Sequence, residues 1–434
     1  MPLKNDEQTV TWKWMTLPLL FLAITLIFIS CQKESITQLE AKVAPDQTAV
    51  EDARKKIKEM FRQNRTMSKL DLLEKFPEKY NALQSNARSK NSPDLIKKLS
   101  EMHVIEEHKE MMAMAINPDD FICGGQPTIL DDYFLSVIND INNMTEEDRF
   151  FLFNFNIIPL FEGLFFDNDD SDESFGINDE YSSSMRKNFI DLKTFWDIPT
   201  DILLLDIKGT VFQDAQAVAQ VIQFAFTNFD EAGNPIPFSA AEALELAEAL
   251  KVIFAADVFD NYNHPLFSFN AVAFSGIPEL GIGKKVLMGD GLMEGHRAVG
   301  LRTIAEKFIL AHEYGHQIQF ANDIINDELE QTPENTRRVE LMADAFAAYF
   351  MAHRKGPFLQ PLIITRYAKT AFAAGDCAFD SPGHHGTPNQ RRKAAELGGE
   401  LASPRGLRDP SYSSEEFVEL FNEAFPEIIA PDAN

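Results

Sequence analysis

Apolar positions recur at helical spacing along several stretches of the chain, with short apolar runs between them. From about residue 50 to 116 the pattern is helical and rich in charge. Val50, Ile57, Met60 and Phe61 form one apolar stripe, and Leu70, Leu72, Leu73 and Phe76 form a second. Pro77 and Pro93 punctuate the region. A different composition begins near Phe121, where Gly124, Gly125 and Pro127 mark a turn. Thr145 followed by Asp148 reads as a helix start. The run Ile202 to Ile207 predicts a strand. Val218, Val221, Ile222 and Phe226 predict a helix over Asp214 to Phe226. Ser239 with Glu242 is a capping box opening a helix through Phe254. Asn270 to Phe274 and Lys285 to Met288 are short apolar stretches bounded by glycines and predict strands. Two long helical patterns follow, Leu301 to Asn322 and Pro333 to His353. Thr332 suits the N-cap of the second, and Pro333 its first helical position. No repeat of solenoid period is apparent.

The first residues do not join this pattern. Lys4 and Lys13 precede an apolar run from Leu17 to Ile29. That run is short for a spanning helix, which needs roughly 20 residues, and suits the apolar region of a signal peptide. Phe28-Ile29-Ser30-Cys31 resembles a bacterial lipobox, in which the Cys is lipidated and becomes the first mature residue. Phe28 departs from the usual Leu, and an uncleaved N-terminal anchor is the alternative. The resemblance implies a lipid anchor at Cys31 and a place in the bacterial cell envelope, at the outer membrane on its periplasmic or surface side. Residues 32–48 read as a polar tether.

Composition changes the picture in three places. An apolar share of 45% suffices for a sizeable packed core, so the 36 Phe read as core filling. A net charge of −27 repels nucleic-acid phosphates and argues against a DNA or RNA partner. After Cys31 only Cys123 and Cys377 remain, and neither has a metal-ligand spacing. Whether they pair depends on their separation in space, which the sequence leaves open. The acidic run Asp167 to Glu173 lacks the Gly that an EF-hand loop needs at its sixth position, where Asp172 stands, and reads as a solvated loop.

The candidate chemistry lies in the two long helices. His312-Glu313-Tyr314-Gly315-His316 is HExxH. Residues four apart on a helix sit one above the other, about 6 Å along the axis. Two imidazoles so placed can reach one zinc ion at roughly 2.0–2.1 Å. Glu313 then projects near the ion's open position, where it can take a proton from the attacking water and pass it to the leaving amine. Apolar Ile304, Phe308 and Ile309 place the motif within a buried helix. The next helix carries Glu340 and Asp344, again four apart. Glu340 is the candidate third ligand, and Asp344 can accept from Nδ1 of His312. Ala343, Ala345, Ala347 and Ala348 are small enough for the two helices to approach closely.

HEYGH followed by ELMAD resembles the gluzincin signature, HExxH then ExxxD. The stretch Asn270-Ala271-Val272-Ala273-Phe274, then Lys285 to Met288, then HExxH is similar to the core of prenyl-protein-endopeptidase-type and minigluzincin peptidases. There an edge strand binds substrate beside the metal helix, which implies substrate binding at Asn270, Ala271, Val272 and Ala273. His385-Gly386-Thr387-Pro388-Asn389-Gln390-Arg391 resembles the HGTxxQR motif of bacterial neutral zinc metallopeptidases. That suggests oxyanion stabilisation by His385 and the motif's Arg391, with His384 as the neighbouring alternative to His385. The competing reading is that His385 and Thr387 cap a helix beginning near Pro388 and Arg391 pairs with a core acid. The resemblance covers about residues 265–400.

The resulting expectation is an α+β protein with a zincin-like catalytic domain and a mostly helical N-terminal region. Its expected parts are a signal peptide (1–30), a tether and helical region (31–120), a helical or mixed part (121–264) and a peptidase core (265–434). The expected activity is peptide-bond hydrolysis with one zinc per chain and a peptide or protein substrate. The rival is an envelope lipoprotein that keeps the fold for binding. Specificity and oligomeric state are not legible.

Overall fold

A computed structural model describes residues 46–63, 66–86, 96–97, 102–326, 328–357, 361–402 and 411–430. The signal segment and Cys31 lie outside these residues. The architecture is α+β and mostly helical, with two three-stranded sheets among the described residues. No described helix is long and apolar enough to cross a membrane.

Local chemistry sets several boundaries. Ser239 Oγ accepts from Glu242 N while Glu242 Oε2 accepts from Ser239 N, and the helix Ala240–Phe254 begins there. Thr145 and Thr332 cap Glu146–Phe155 and Pro333–Ala352 in the same way on one side. Each such cap satisfies a donor that the first helical turn would leave unmet, for about 1 kcal/mol.

The first sheet runs in the order β2 (Ile202–Ile207), β6 (Lys284–Gly289), β5 (Ala271–Phe274). β2 is parallel to β6, with Leu204 opposite Val286, and β5 is antiparallel to it, with Val272 opposite Leu287. The sheet therefore crosses residue 264 and joins the middle of the chain to the part that carries HExxH. Its side chains alternate between two cores. Leu205, Ile207, Val272, Phe274 and Leu287 enter one, built from helices between residues 47 and 254. Ile202, Leu204, Ala271, Val286 and Met288 enter the other, built around the HExxH helix. Burial on both faces explains why these strands read as short continuous apolar runs.

Lys285 is an exception within that run. Its ammonium is buried and donates to Gly163 O and Leu164 O at 2.9 Å each and also to Asp167 O. These carbonyls end the helix Ile158–Phe165, where a positive charge is favoured. Burial lowers the Lys285 pKa to about 8. The acidic run 167–173 is the loop that follows, and Arg186 binds its Asp170 and Glu173 carbonyls.

The second sheet differs from expectation. β1 (Met67–Ser68), β3 (Phe226–Phe229) and β4 (Pro235–Pro237) form it in the order β1, β3, β4. The predicted helix ends at Ala225, because Phe226 opens β3 and takes a strand partner from residue 68, far away in sequence. Pro235 and Pro237 sit on the outer strand, where a missing N–H is tolerated.

The HExxH helix is Arg302–Ala321 and the Glu340 helix is Pro333–Ala352. A Cβ at Gly315 would lie 3.1 Å from Ala343 Cα, so the bare glycine sets the closeness of the two helices. The helix Pro388–Ala402 packs on the other side of the Glu340 helix even more tightly. A Cβ at Gly398 would lie 2.1 Å from Ala345 O, a backbone atom that cannot turn aside. Gly398→Ala should therefore destabilise the fold by about 1–3 kcal/mol. The expected readout is a lower denaturant midpoint at constant slope, and a midpoint equal to the parent's would contradict this packing.

Candidate metal centre

The HExxH helix is fixed against the sheet by Gln317, whose Nε2 donates to Phe274 O at 3.1 Å and to Lys285 O at 2.8 Å. This orientation turns His312 and His316 toward the Glu340 helix. His312 Nε2 lies 3.1 Å from Glu340 Oε2 and 3.2 Å from His316 Nε2. His316 Nε2 lies 3.2 Å from Glu340 Oε1. Tetrahedral zinc with ligands at its usual distances separates donor atoms by about 3.3 Å. The three residues are buried and form a group that can hold a metal ion.

The far nitrogen of each ring is engaged. His312 Nδ1 is 2.9 Å from Asp344 Oδ1, and His316 Nδ1 is 2.8 Å from Gln319 Oε1. Acceptors there require protons on Nδ1, which turns both Nε2 atoms toward Glu340. Gln319 Nε2 in turn donates to Val339 O at 2.7 Å, beside Glu340. Gln319 was not anticipated from the sequence, although its i+3 spacing from His316 offered a signal.

Asp344 is fully buried and held from a second side. Arg391 Nε donates to Asp344 Oδ2 at 2.8 Å and Nη2 to Oδ1 at 2.9 Å. Burial favours the acid form of Asp344, but Arg391 and His312 outweigh it and hold its pKa below the ordinary carboxylate value. Within the HGTxxQR segment, Thr387 Oγ1 accepts from Gln390 N, and Gln390 Oε1 accepts from Thr387 N. Thr387 thus caps the helix Pro388–Ala402, and Arg391 pairs with a core acid.

The two histidines before Thr387 separate in role. Asp376 Oδ1 is 2.6 Å from His384 Nδ1, and Asp376 Oδ2 accepts from His385 N at 2.8 Å. His384 is fully buried against Phe379. His385 is partly exposed and lines a cleft of about 200 Å³ together with His312, Glu313 and Glu340. Cys123 and Cys377 form a disulfide, with Cα atoms 5.1 Å apart, and Cys377 N donates to Phe121 O. The loop carrying Asp376 and His385 is thereby tied to the segment at the cleft's rim.

Glu313 is buried, and its Oε2 has no partner among the described residues. Burial pushes its pKa up against the opposing pull of His312 and His316. Asn270 and Ala271 line the same cleft. β5 is the edge of its sheet. Gly289 N donates to Asn270 O, so the antiparallel alternation turns the main-chain groups of Ala271 and Ala273 away from β6. Ala271 N donates to Asn270 Oδ1 at 2.9 Å, and Asn270 Nδ2 is buried with no partner among the described residues. Ala271, Val272 and Ala273 are buried, and the helix His103–Ile116 packs beside β5 with Met111 and Met114 in the cleft wall. His296, which the sequence reading passed over, lines this cleft too. Comparisons with protein families, curated proteins and solved structures find no match to this chain.

Proposed function

We propose that the chain is a zinc-dependent peptidase of gluzincin type, with His312, His316 and Glu340 as ligands and Glu313 as the base. The observation that carries this reading is the trio of inward-facing donor atoms at one end of a cleft that also holds an unpartnered Glu313 carboxylate oxygen. Three lone pairs about 3 Å apart repel one another unless a cation or a proton lies between them. Two imidazoles and one carboxylate suit zinc, and the three-ligand set leaves a position for substrate. Zinc bound there supplies a Lewis acid that polarises the scissile carbonyl. Glu313 takes the proton of the attacking water and returns it to the leaving amine. His385 donates to the carbonyl oxygen as negative charge develops. Asn270 and the outward main-chain groups of β5 bind the peptide in extended form, after the helix His103–Ile116 gives way. A lipid on Cys31 holds the catalytic unit at a membrane of the bacterial envelope.

The test is metal content with activity. The purified chain should carry about one zinc ion, and a chelator should abolish its cleavage of casein. A chain that binds zinc weakly, or cleaves nothing when loaded, contradicts the reading.

Uptake itself has a signature. In the metal-free site burial opposes a charge on His312, but hydrogen bonds to Asp344 and Glu340 outweigh it and raise its pKa to about 9. At pH 7 the free site therefore holds a proton that the ion must displace. Zinc binding should release about one proton per chain and weaken as pH falls. Titration calorimetry in buffers of different ionisation enthalpy measures this, and a heat independent of buffer would contradict it.

A further inference from the structure

Three buried side-chain atoms of cleft residues have no partner among the described residues: Glu313 Oε2, Asn270 Nδ2 and His296 Nε2. The proposed reaction uses the first two. His296 sits on the helix Asp290–Ala298 and is 2% exposed. Its Nδ1 lies 2.9 Å from Leu292 O. A carbonyl oxygen only accepts, so Nδ1 carries the proton and Nε2 carries the lone pair. Burial lowers the His296 pKa to about 4, so the ring is neutral near pH 7. A residue of the cleft wall thus carries a hydrogen-bond acceptor with no donor among the described residues.

The other polar side chains of that wall are engaged. Asp131 Oδ2 accepts from Thr128 N, Thr370 Oγ1 donates to Arg366 O, and Asp376 holds His384 and His385. Phe134, Phe269, Leu292 and Phe308 line the cleft beside Met111 and Met114, together with the polar residues of the proposed metal site. With Glu313 engaged in the proposed reaction, an apolar wall beside the one remaining unmet acceptor fits a side chain that has an apolar body and one donor. A lysine or arginine brings three or five donors to one unmet neutral acceptor and would leave the others without their water. Serine and threonine are too small to cover the apolar wall. Tyrosine and tryptophan have the required form.

We propose that the cleft selects peptides by an aromatic side chain bearing a donor, with the Tyr hydroxyl or the Trp indole N–H bonded to His296 Nε2. This inference rests on the peptidase reading. An unmet buried acceptor discriminates strongly, because a phenylalanine in the slot leaves Nε2 without a partner while tyrosine satisfies it.

The test uses zinc-loaded protein and peptides that differ only in Tyr, Trp, Phe or Leu at one position near the scissile bond. That position is scanned along the peptide. The parent should cleave the Tyr or Trp peptide better than the Phe peptide by on the order of 10- to 100-fold in kcat/KM. In His296→Leu the Tyr-to-Phe ratio should fall to near one, at matched zinc content and thermal stability. Binding of the same peptides to zinc-loaded Glu313→Gln should show the Tyr-over-Phe preference without turnover. Cleavage with no such preference at any position overturns this inference and leaves the peptidase reading standing. So does a preference that survives in His296→Leu. Absence of any cleavage overturns both. If His296→Leu does not fold, the parent's ratio and the Glu313→Gln binding series still decide.

Discussion

Glu313→Gln should keep its zinc and lose hydrolysis by roughly 10²- to 10⁴-fold, the range expected when a positioned proton carrier is removed. Glutamine fills the same space, and Glu313 is not one of the three converging donors. The ligands keep their own supports, Asp344 for His312 and Gln319 for His316, so the site should assemble unchanged. What is lost is the carboxylate oxygen that has no hydrogen-bond partner among the described residues. Metal analysis and peptide kinetics on one preparation separate the two effects. An active Glu313→Gln protein with full zinc would end the proposed mechanism. Glu340→Ala provides the contrast, since it should lose the metal together with the activity.

The second large effect should come from Arg391→Met, which touches no metal. Arg391 makes two hydrogen bonds to Asp344, and both groups are buried. Removing one partner of a buried ion pair leaves the other charge uncompensated and costs about 3–5 kcal/mol. Asp344 also orients His312, so its displacement should weaken zinc binding by about 10- to 100-fold, as loss of an orienting partner does elsewhere. Unfolding with and without added zinc measures both. A stability within about 0.5 kcal/mol of the parent would show that Arg391 is a bystander. The double substitution Arg391→Met with Asp344→Leu should recover part of the stability but none of the zinc affinity, because it removes the stranded charge and the support of His312 together.

The parts of this site that follow from helix geometry were legible in advance. HExxH and ExxxD each place two side chains on one face, whatever surrounds them. The strand Ile202–Ile207 was legible because burial on both faces leaves an apolar run bounded by polar residues. The Ser239 and Thr332 caps were legible because their partners lie three residues away.

What stayed hidden depends on distant partners. Met67–Ser68 gains its strand only by meeting Phe226 and Thr227, and no local pattern marks so short a segment. Lys285 looks wrong for a buried strand until the helix end at Gly163 and Leu164 supplies its acceptors. The HGTxxQR segment suggested either catalysis or capping and pairing. The structure divides it, with Thr387 capping, Arg391 paired to Asp344 and His385 in the cleft wall. His296 was hidden for a further reason. A single histidine on an amphipathic helix is ordinary, and only the absence of a partner in three dimensions sets it apart.

Cys123 and Cys377 are 254 residues apart in sequence, so their bond closes a covalent ring that includes the HExxH helix, the Glu340 helix and the β2–β6–β5 sheet. Two arms leave the ring at its knot and lean back on the site. One carries the helix His103–Ile116 to β5, and the other carries Arg391 to Asp344. A single cut in the backbone anywhere between the two cysteines opens the ring without releasing a fragment. The nicked chain keeps its mass on a non-reducing gel and separates in two only after reduction. A cleavage that the protein made within its own loops would therefore leave it one molecule, with both arms still joined to the metal centre.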